Sequence, residues 1–376
     1  MKKKIFLKKK FVVLLIIVII FFCWCIKEFF LPKTGTTVFI EPNQDKKPEI
    51  VLHSEYVDMV NDWEESNDIL TMEDLKEMVG IIEPIESTDK NEKITVAVLD
   101  TGIFEHKRLS VSGQQVIGNV DLVNGIEETY DDNGHGTAIA GIIAAFGING
   151  PYLDYEEDSF INFVSIKVLD YQCKGYGSKI VEGIEWAIEN KDKYNIKIIN
   201  ISVGVPVYGS ESDKIAEAAK SAYDEGILVV TASGNLRDGV FQYSPALEPT
   251  CMSVGSIKES YIDKTYNYSI AAFTTCWENN NVSYPIIYAP GCNIESLKSN
   301  IYYKGKGEIG ENDNFNIVSG TSASAAVVTG VVAYYMYYYP EKNIDEIREV
   351  IINSGISIWD EKKKMKYKFI HVGDVR

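Results

Sequence analysis

The chain has 376 residues, 45% of them hydrophobic and 24% charged, with a formal net charge of −17. That composition is globular and leaves room for one large domain or two ordinary ones. Without the six lysines of residues 1–10 the charge on residues 11–376 falls to −23; no basic patch with interleaved aromatics offsets it, which excludes nucleic acid as a partner.

The N-terminus reads MKKKIFLKKK (1–10), then sixteen apolar residues, FVVLLIIVIIFFCWCI (11–26), then Lys27. At about 1.5 Å per residue the apolar run spans roughly 24 Å, which reaches across a bilayer with help from snorkelling lysines. A cleaved signal peptide is the competing reading, but cleavage wants small residues, and Phe21, Phe22, Trp24, Phe29 and Phe30 are bulky. The expectation is a cytoplasmic basic tail over 1–10, a single-pass transmembrane helix over 11–26, and the remainder outside the cytoplasm. LPKTG (31–35) has the letters of a sortase signal but stands on the wrong side of the apolar run, so it is not read as one. Residues 27–90 are expected to be an extracytoplasmic stalk or a short pro-like segment. Their one helical signature is TMEDLKEM (71–78), with Thr71 as N-cap and acids in the first turn.

From residue 94 the pattern changes. ITVAVL (94–99), NFVSIKVL (162–169), IKIINISV (196–203), GILVVTA (226–232) and CMSVGSI (251–257) are short apolar runs without strict alternation, as in strands buried on both faces. Helical segments lie between them at 135–146, 178–190 and 212–226. Strand alternating with helix predicts an α/β fold with a mainly parallel sheet between helices, whose site gathers at the carboxyl ends of the strands.

Three residues stand at element boundaries beside glycine: Asp100 after the first strand in VAVLDTGI, His135 in DDNGHGT, and Ser322 in SGTSASAAVVTG. Singly, each reads equally as a turn or cap residue. Together they supply the parts of nucleophilic catalysis. A serine hydroxyl needs a base near neutral pKa, imidazole serves as that base and returns the proton, and a carboxylate on the other ring nitrogen fixes the tautomer.

DTG, NGHGT and SGTS in this order resemble the subtilase family of serine proteases, and SIKVLD (165–170), GIEWAI (183–188), NISVG (200–204) and ASGN (232–235) resemble further family segments. The resemblance covers residues 94 to about 355. It implies a subtilisin-like three-layer fold over 91–360, with 361–376 as a C-terminal tail. It also implies Asp100, His135 and Ser322 as catalytic residues and Asn235 as side-chain donor to the oxyanion. Ser202, Val203 and Gly204 match one substrate-pairing edge, and Gly175, Tyr176 and Gly177 match the opposite one. Tyr243 falls where relatives often keep a small residue at the pocket floor, so its ring is expected to favour small side chains.

Several features depart from the family. Relatives continue after the serine with Met and then Ala-Ala-Pro; here Ala323, Ser324, Ala325 and Ala326 follow, which implies altered packing at the helix start. Loop 147–161 replaces a segment that helps many relatives bind calcium. Its Asp154, Glu156, Glu157 and Asp158 leave Ca²⁺ open against a solvated charge run, and no cofactor is required. Among Cys173, Cys251, Cys276 and Cys292, a Cys276–Cys292 disulfide is weighed against buried thiols. His53, His106 and His371 lack the GHGT context and read as structural or surface groups.

The resulting expectation is a monomeric, membrane-tethered endopeptidase acting on peptides or proteins outside the cytoplasm. The alternative is a catalytically silent surface binding module of the same fold. A lipase or esterase would want G-x-S-x-G and another residue order.

Overall fold

The structure, a computed structural model, describes residues 69–81, 92–111, 116–127, 130–148, 159–207, 209–237, 242–262, 265–279, 282–299, 315–362 and 364–373. The expected transmembrane helix over 11–26, the acids at 154–158 and the LPKTG segment lie outside the described residues. Among the described residues no helix is long and apolar enough to cross a membrane.

The first helix, α1 (Met72–Met78), begins with the capping box its sequence announces, in which the Asp74 amide donates to Thr71 Oγ1 and the Thr71 amide to Asp74 Oδ2. There follow β1 (Ile94–Asp100), α2 (Lys107–Val111), β2 (Val116–Asp121), α3 (His135–Ala145), β3 (Ile161–Lys167), α4 (Gly177–Glu189) and α5 (Lys191–Tyr194). The middle of the chain forms β4 (Ile196–Ile201), β5 (Val205–Pro206), α6 (Ser210–Asp224), β6 (Leu228–Ala232), β7 (Tyr243–Ser244), β8 (Met252–Ile262) and β9 (Thr265–Ile270). It ends with β10 (Trp277–Asn279), β11 (Val282–Tyr284), β12 (Ile287–Pro290), β13 (Ile294–Leu297), β14 (Phe315–Val318), α7 (Thr321–Tyr338), α8 (Ile344–Ser354), β15 (Ile356–Asp360) and β16 (Met365–Phe369).

The main sheet runs in the order β15-β16-β12-β8-β6-β4-β1-β3-β2, with β9 paired to β8. Pairing is parallel from β2 through to β16, and only β9 and β15 run antiparallel. Both faces are covered, and β1 shows why its residues do not alternate in polarity. Val96 and Val98 enter the core beneath α3 and α7, while Ala97 and Leu99 enter the core beneath α4 and α6. The chain leaves β1 for the edge strand β2, returns to β3, then crosses to β4 on the other side. The crevice outside the carboxyl ends of β1 and β4 is therefore the topological switch point where such sheets bind ligands.

Helix α7 is buried from Thr321 to Met336, which is why it shows no polar face. It packs closely on α3 because Gly330 has no side chain.

Two expected boundaries differ from what the fold contains. Residues 361–376, read as a tail, supply β16, with Met365, Tyr367 and Phe369 buried and Lys366 and Lys368 turned outward. Residues 69–81, read within a stalk, place Met72, Leu75 and Val79 in the main core. Both segments are short, and their apolar positions gain a partner only through long-range packing. Cys173, Cys251 and Cys276 are buried as thiols and Cys292 is half-buried; no Cys276–Cys292 disulfide forms.

A Cβ at Gly330 would fall 2.3 Å from Phe146 Cδ2 and 2.9 Å from Phe146 Cβ, too near for a rotamer change to relieve. Gly330→Ala is expected to destabilise the fold by about 1–3 kcal/mol through overpacking. Urea unfolding of both proteins measures it, and an unchanged midpoint would refute the close α3–α7 contact.

Candidate active site

β1 delivers Asp100 to the switch point, and α3 begins at His135. Between them the chain must fold back on itself closely enough to bring a carboxylate to an imidazole. Gly102 (φ +108°) and Gly136 make this approach: a Cβ at Gly136 would fall 2.0 Å from the Gly102 carbonyl oxygen and 3.1 Å from Asp100 Cβ. The result is a 2.5 Å contact between His135 Nδ1 and Asp100 Oδ1, with both side chains almost fully buried. The Thr101 amide donates to the same Oδ1 at 2.7 Å, holding the carboxylate in its rotamer.

A second carboxylate, Asp131, ties these two turns together. Its Oδ1 accepts from Thr101 Oγ1 (2.9 Å), the Asn133 amide (3.1 Å) and the Gly134 amide (2.7 Å). Its Oδ2 accepts from the Thr137 amide (2.9 Å) and Thr137 Oγ1 (2.6 Å). Thr101 Oγ1 in turn accepts from the Gly136 amide at 3.0 Å. A fully buried carboxylate is tolerated because its lone pairs meet this many donors. From the other side, the buried Lys167 ammonium donates to the Thr101 carbonyl (2.6 Å) and to Asp132 Oδ1 (2.8 Å), and lies over the Tyr130 ring.

Ser322 is the second residue of α7, entered through Gly320 at φ +150°. Its Oγ donates to the Ser202 carbonyl at 3.2 Å. Ser202 follows β4 directly, and Leu99 of β1 is in register with Ile201 of β4. Asp100 and Ser202 thus occupy adjacent strand ends, about 4.8 Å apart in the pairing direction. That adjacency is how two distant helix starts, at His135 and Ser322, come to one rim.

Asn235 is anchored by Thr321. The Thr321 amide, a donor only, and Thr321 Oγ1 both donate to Asn235 Oδ1 at 2.9 Å, which assigns the amide orientation and leaves Nδ2 on the side of Gly320. The Gly234 amide donates to Thr321 Oγ1 at 3.1 Å.

The two segments expected to pair with substrate, 202–204 and 175–177, flank this rim. Ser202 Oγ donates to Asn200 Oδ1 (3.1 Å), and Asn200 Nδ2 donates to Thr329 Oγ1 of α7 (2.8 Å). Gly175 packs on the Val168 carbonyl, Tyr176 is extended and 41% exposed, and Gly177 opens α4 against Glu211. Val168 connects this edge to Asp100, whose carbonyl accepts its amide at 2.9 Å. Tyr243, on β7, is buried between Gly204 and Gly234: a Cβ at Gly204 would fall 3.2 Å from Tyr243 Cβ, and one at Gly234 would fall 2.7 Å from its ring. Among the described residues no group of three or more His, Cys, Asp and Glu could hold a metal ion.

Asp131, Thr101, Thr137, Lys167, Asn200 and Thr321 were not singled out by sequence reasoning. Lys167 carried a signal, since a lysine inside an apolar strand needs a buried partner. The others look like ordinary polar residues of turns.

Beside Lys167, burial pushes the Asp121 carboxyl upward, but hydrogen bonds from the Asn124 side chain, the Tyr130 hydroxyl and the Asn124 amide, with the charge of Lys167, outweigh it. Its pKa lies below the ordinary 3.8. Burial and the same carboxylate raise Tyr130. A lowered carboxyl stabilises the fold fully above its unfolded value, and that stabilisation is lost as pH falls from about 4 through the folded-state value. Urea titrations of wild type and Asp121→Asn between pH 7 and pH 3 should show the largest gap at neutral pH, closing below about pH 4. A gap that widens on acidification would refute the assignment.

A profile of the Subtilase family matches residues 91–368. Serine protease AprX of Bacillus subtilis (strain 168) is 32% identical over 283 residues, which is 72% of this chain and 62% of AprX; the chain thus spans less than two thirds of that relative. Subtilisin Savinase of Lederbergia lenta is 31% identical over 265 residues, 70% of this chain and 84% of Savinase. The solved structure of Sphericase superposes with a TM-score of 0.62 at 23% identity, covering 80% of this chain and 97% of that one, a likeness of fold. The chain belongs to the Subtilase family of subtilisin-like serine proteases.

Proposed function

We propose that the protein is a serine endopeptidase that hydrolyses peptide bonds through an acyl-enzyme, with Ser322 as nucleophile, His135 as general base and acid, and Asp100 as the carboxylate that orients it. The observation that carries this reading is the buried 2.5 Å contact between Asp100 and His135 Nδ1, one strand away from the carbonyl that holds Ser322 Oγ. With Nδ1 engaged by the carboxylate, Nε2 takes the serine proton, and the imidazolium that forms is stabilised by Asp100. The tetrahedral oxyanion is received by Asn235 Nδ2 and the Ser322 amide at the start of α7. Substrate backbone pairs with residues 202–204 on one side and 175–177 on the other, which gives affinity with little regard to sequence. Tyr243 fills the space between Gly204 and Gly234 and restricts the substrate side chain there to a small one. The missing Met and Pro after Ser322 do not argue against this, because Ser324 Oγ donates to the Ala289 carbonyl and α7 begins at Thr321, directly before Ser322.

We further propose that the enzyme works outside the cytoplasm, tethered through residues 11–26, on peptide or protein substrates. The support is the run of sixteen apolar residues behind six lysines.

A fluorophosphonate probe tests the catalytic reading. Wild type is expected to label, and Ser322→Ala and His135→Ala are not; the drop in turnover should approach the roughly 10⁶-fold known for subtilisin. Folded wild type that does not label would indicate the catalytically silent binding module instead. Asn235→Ala should lower kcat about 10²–10³-fold with little change in KM. Peptide-library profiling should show small residues preferred before the cut, and Tyr243→Gly should shift the preference to large ones; a wild type that prefers large aromatics overturns the role of Tyr243.

A further inference from the structure

One acidic side chain joins the two edges along which substrate is to lie. The wall at 202–204 continues into β5, where Val205 and Pro206 pair with Ser244 and Tyr243 of β7. Beyond that pairing the chain enters α6 at Ser210, and Glu211 is its second residue. The opposite edge, 175–177, runs straight into α4 at Gly177. Glu211 meets it there: a Cβ at Gly177 would fall 2.8 Å from both Cγ and Cδ of Glu211 and 2.9 Å from its Oε1. The carboxyl group thus fills the place that a side chain at residue 177 would take.

One oxygen of this carboxylate has a structural task. Tyr176, the N-cap of α4, offers the helix no side-chain acceptor, and Glu211 Oε1 accepts the Ser178 amide at 3.0 Å instead. Oε2 has no hydrogen-bond partner among the described residues, and no cation there pairs with the group, Lys174 and Lys214 included. Lys179, in the first turn of α4, is held by Glu182 at 2.6 Å. Asp170, an acid at the start of the same edge, has its Oδ1 taken by the Gln172 and Lys174 amides. Glu211 is therefore the half-buried acid of this cleft with an oxygen left to offer.

Such a group selects what passes over it. A lysine or arginine side chain would exchange hydration for a charge-assisted hydrogen bond, whereas an acid would meet a like charge. The net charge of −23 on residues 11–376 acts in the same direction on an approaching peptide.

We propose that Glu211 is a specificity-determining residue that favours lysine or arginine in the substrate. The selected side chain lies on the same side of the cut as the small one that Tyr243 receives, and farther from the cut. Ser202, whose carbonyl holds Ser322 Oγ, marks the near end of that wall, and Glu211 stands beyond the β5–β7 pairing. This rests on the substrate pairing proposed above.

The first test reads binding and does not need turnover. Full-length Ser322→Ala protein, with and without Glu211→Gln, is titrated with labelled peptides followed by fluorescence anisotropy. The peptides share a small residue before the cut and carry Lys, Gln or Glu at each position ahead of it in turn. At one of these positions the Lys peptide is expected to bind roughly 5–20-fold more tightly than the Glu peptide. That ratio should shrink as KCl rises from about 50 to about 500 mM. In Glu211→Gln it should fall close to one with Tm retained, because the Gln side-chain oxygen still accepts the Ser178 amide. Glu211→Lys should reverse it, and Glu217→Gln, which removes an exposed acid farther along α6, should keep it. A ratio that Glu211→Gln leaves unchanged overturns the proposal, as does the absence of any Lys-over-Glu preference. Equal weakening of all peptides by Glu211→Gln also overturns it, since that assigns Glu211 to capping α4 alone. Fluorophosphonate labelling separately reports whether the catalytic reading stands; in labelling protein the same ratio is expected in kcat/KM.

Discussion

Gly136 lies against the Gly102 carbonyl at a distance no side chain permits, with a Cβ falling 2.0 Å from that oxygen. The rest of the rim depends on this contact. It sets how near the end of β1 comes to the first turn of α3, and so brings Asp100 to His135 without a bridging group. A side chain at either glycine would separate the two turns by more than a hydrogen bond tolerates. The buried carboxylate of Asp131 then locks what the glycines allow, because five donors from residues 101 to 137 converge on it. Such a network is stiff: with each lone pair used, moving either turn leaves a buried polar group unmet.

The second half of the rim is built in the same way. Thr101 Oγ1 accepts an amide hydrogen and donates to Asp131; Thr321 Oγ1 accepts the Gly234 amide and donates to Asn235. In each half a threonine hydroxyl joins two turns and orients a polar side chain, next to a glycine at positive φ. The two halves meet through the sheet and through the α3–α7 packing. Asn200 adds a cross-brace from β4 to α7, linking the wall at Ser202 to the helix that carries Ser322. Strands, an all-round buried helix and the two hydrogen-bonded sets of turns together hold Asp100, His135, Ser322 and Asn235 in place.

How legible this was differs by element. The five apolar runs announced their strands because burial on both faces removes the need for alternation, and TMEDLKEM announced α1 through Thr71 and Asp74. Asp100, His135 and Ser322 stood out by residue type and glycine context. Asp131 did not, although it lies four residues before His135, because an acid in a turn has the same sequence signature whether it is solvated or buried among donors. β16 and the docking of α1 were missed because three or four apolar residues do not reveal a distant partner: Phe369 of β16 pairs with Tyr288, and Leu70 ahead of α1 bridges Ile294.

Local chemistry is thus written in the sequence: where strands and helices begin, which turns require glycine, and which side chains can accept a proton, attack or orient. Those properties depend on a residue and its near neighbours, so composition and spacing carry them. Only the tertiary structure decided that Asp100 and Ser202 end adjacent strands, that Tyr243 fills the gap between Gly204 and Gly234, and that residues 69–81 belong to the core. Each of these is a meeting of segments far apart in the chain, and it is settled by the register of the sheet and the closeness of packing, which no single segment contains.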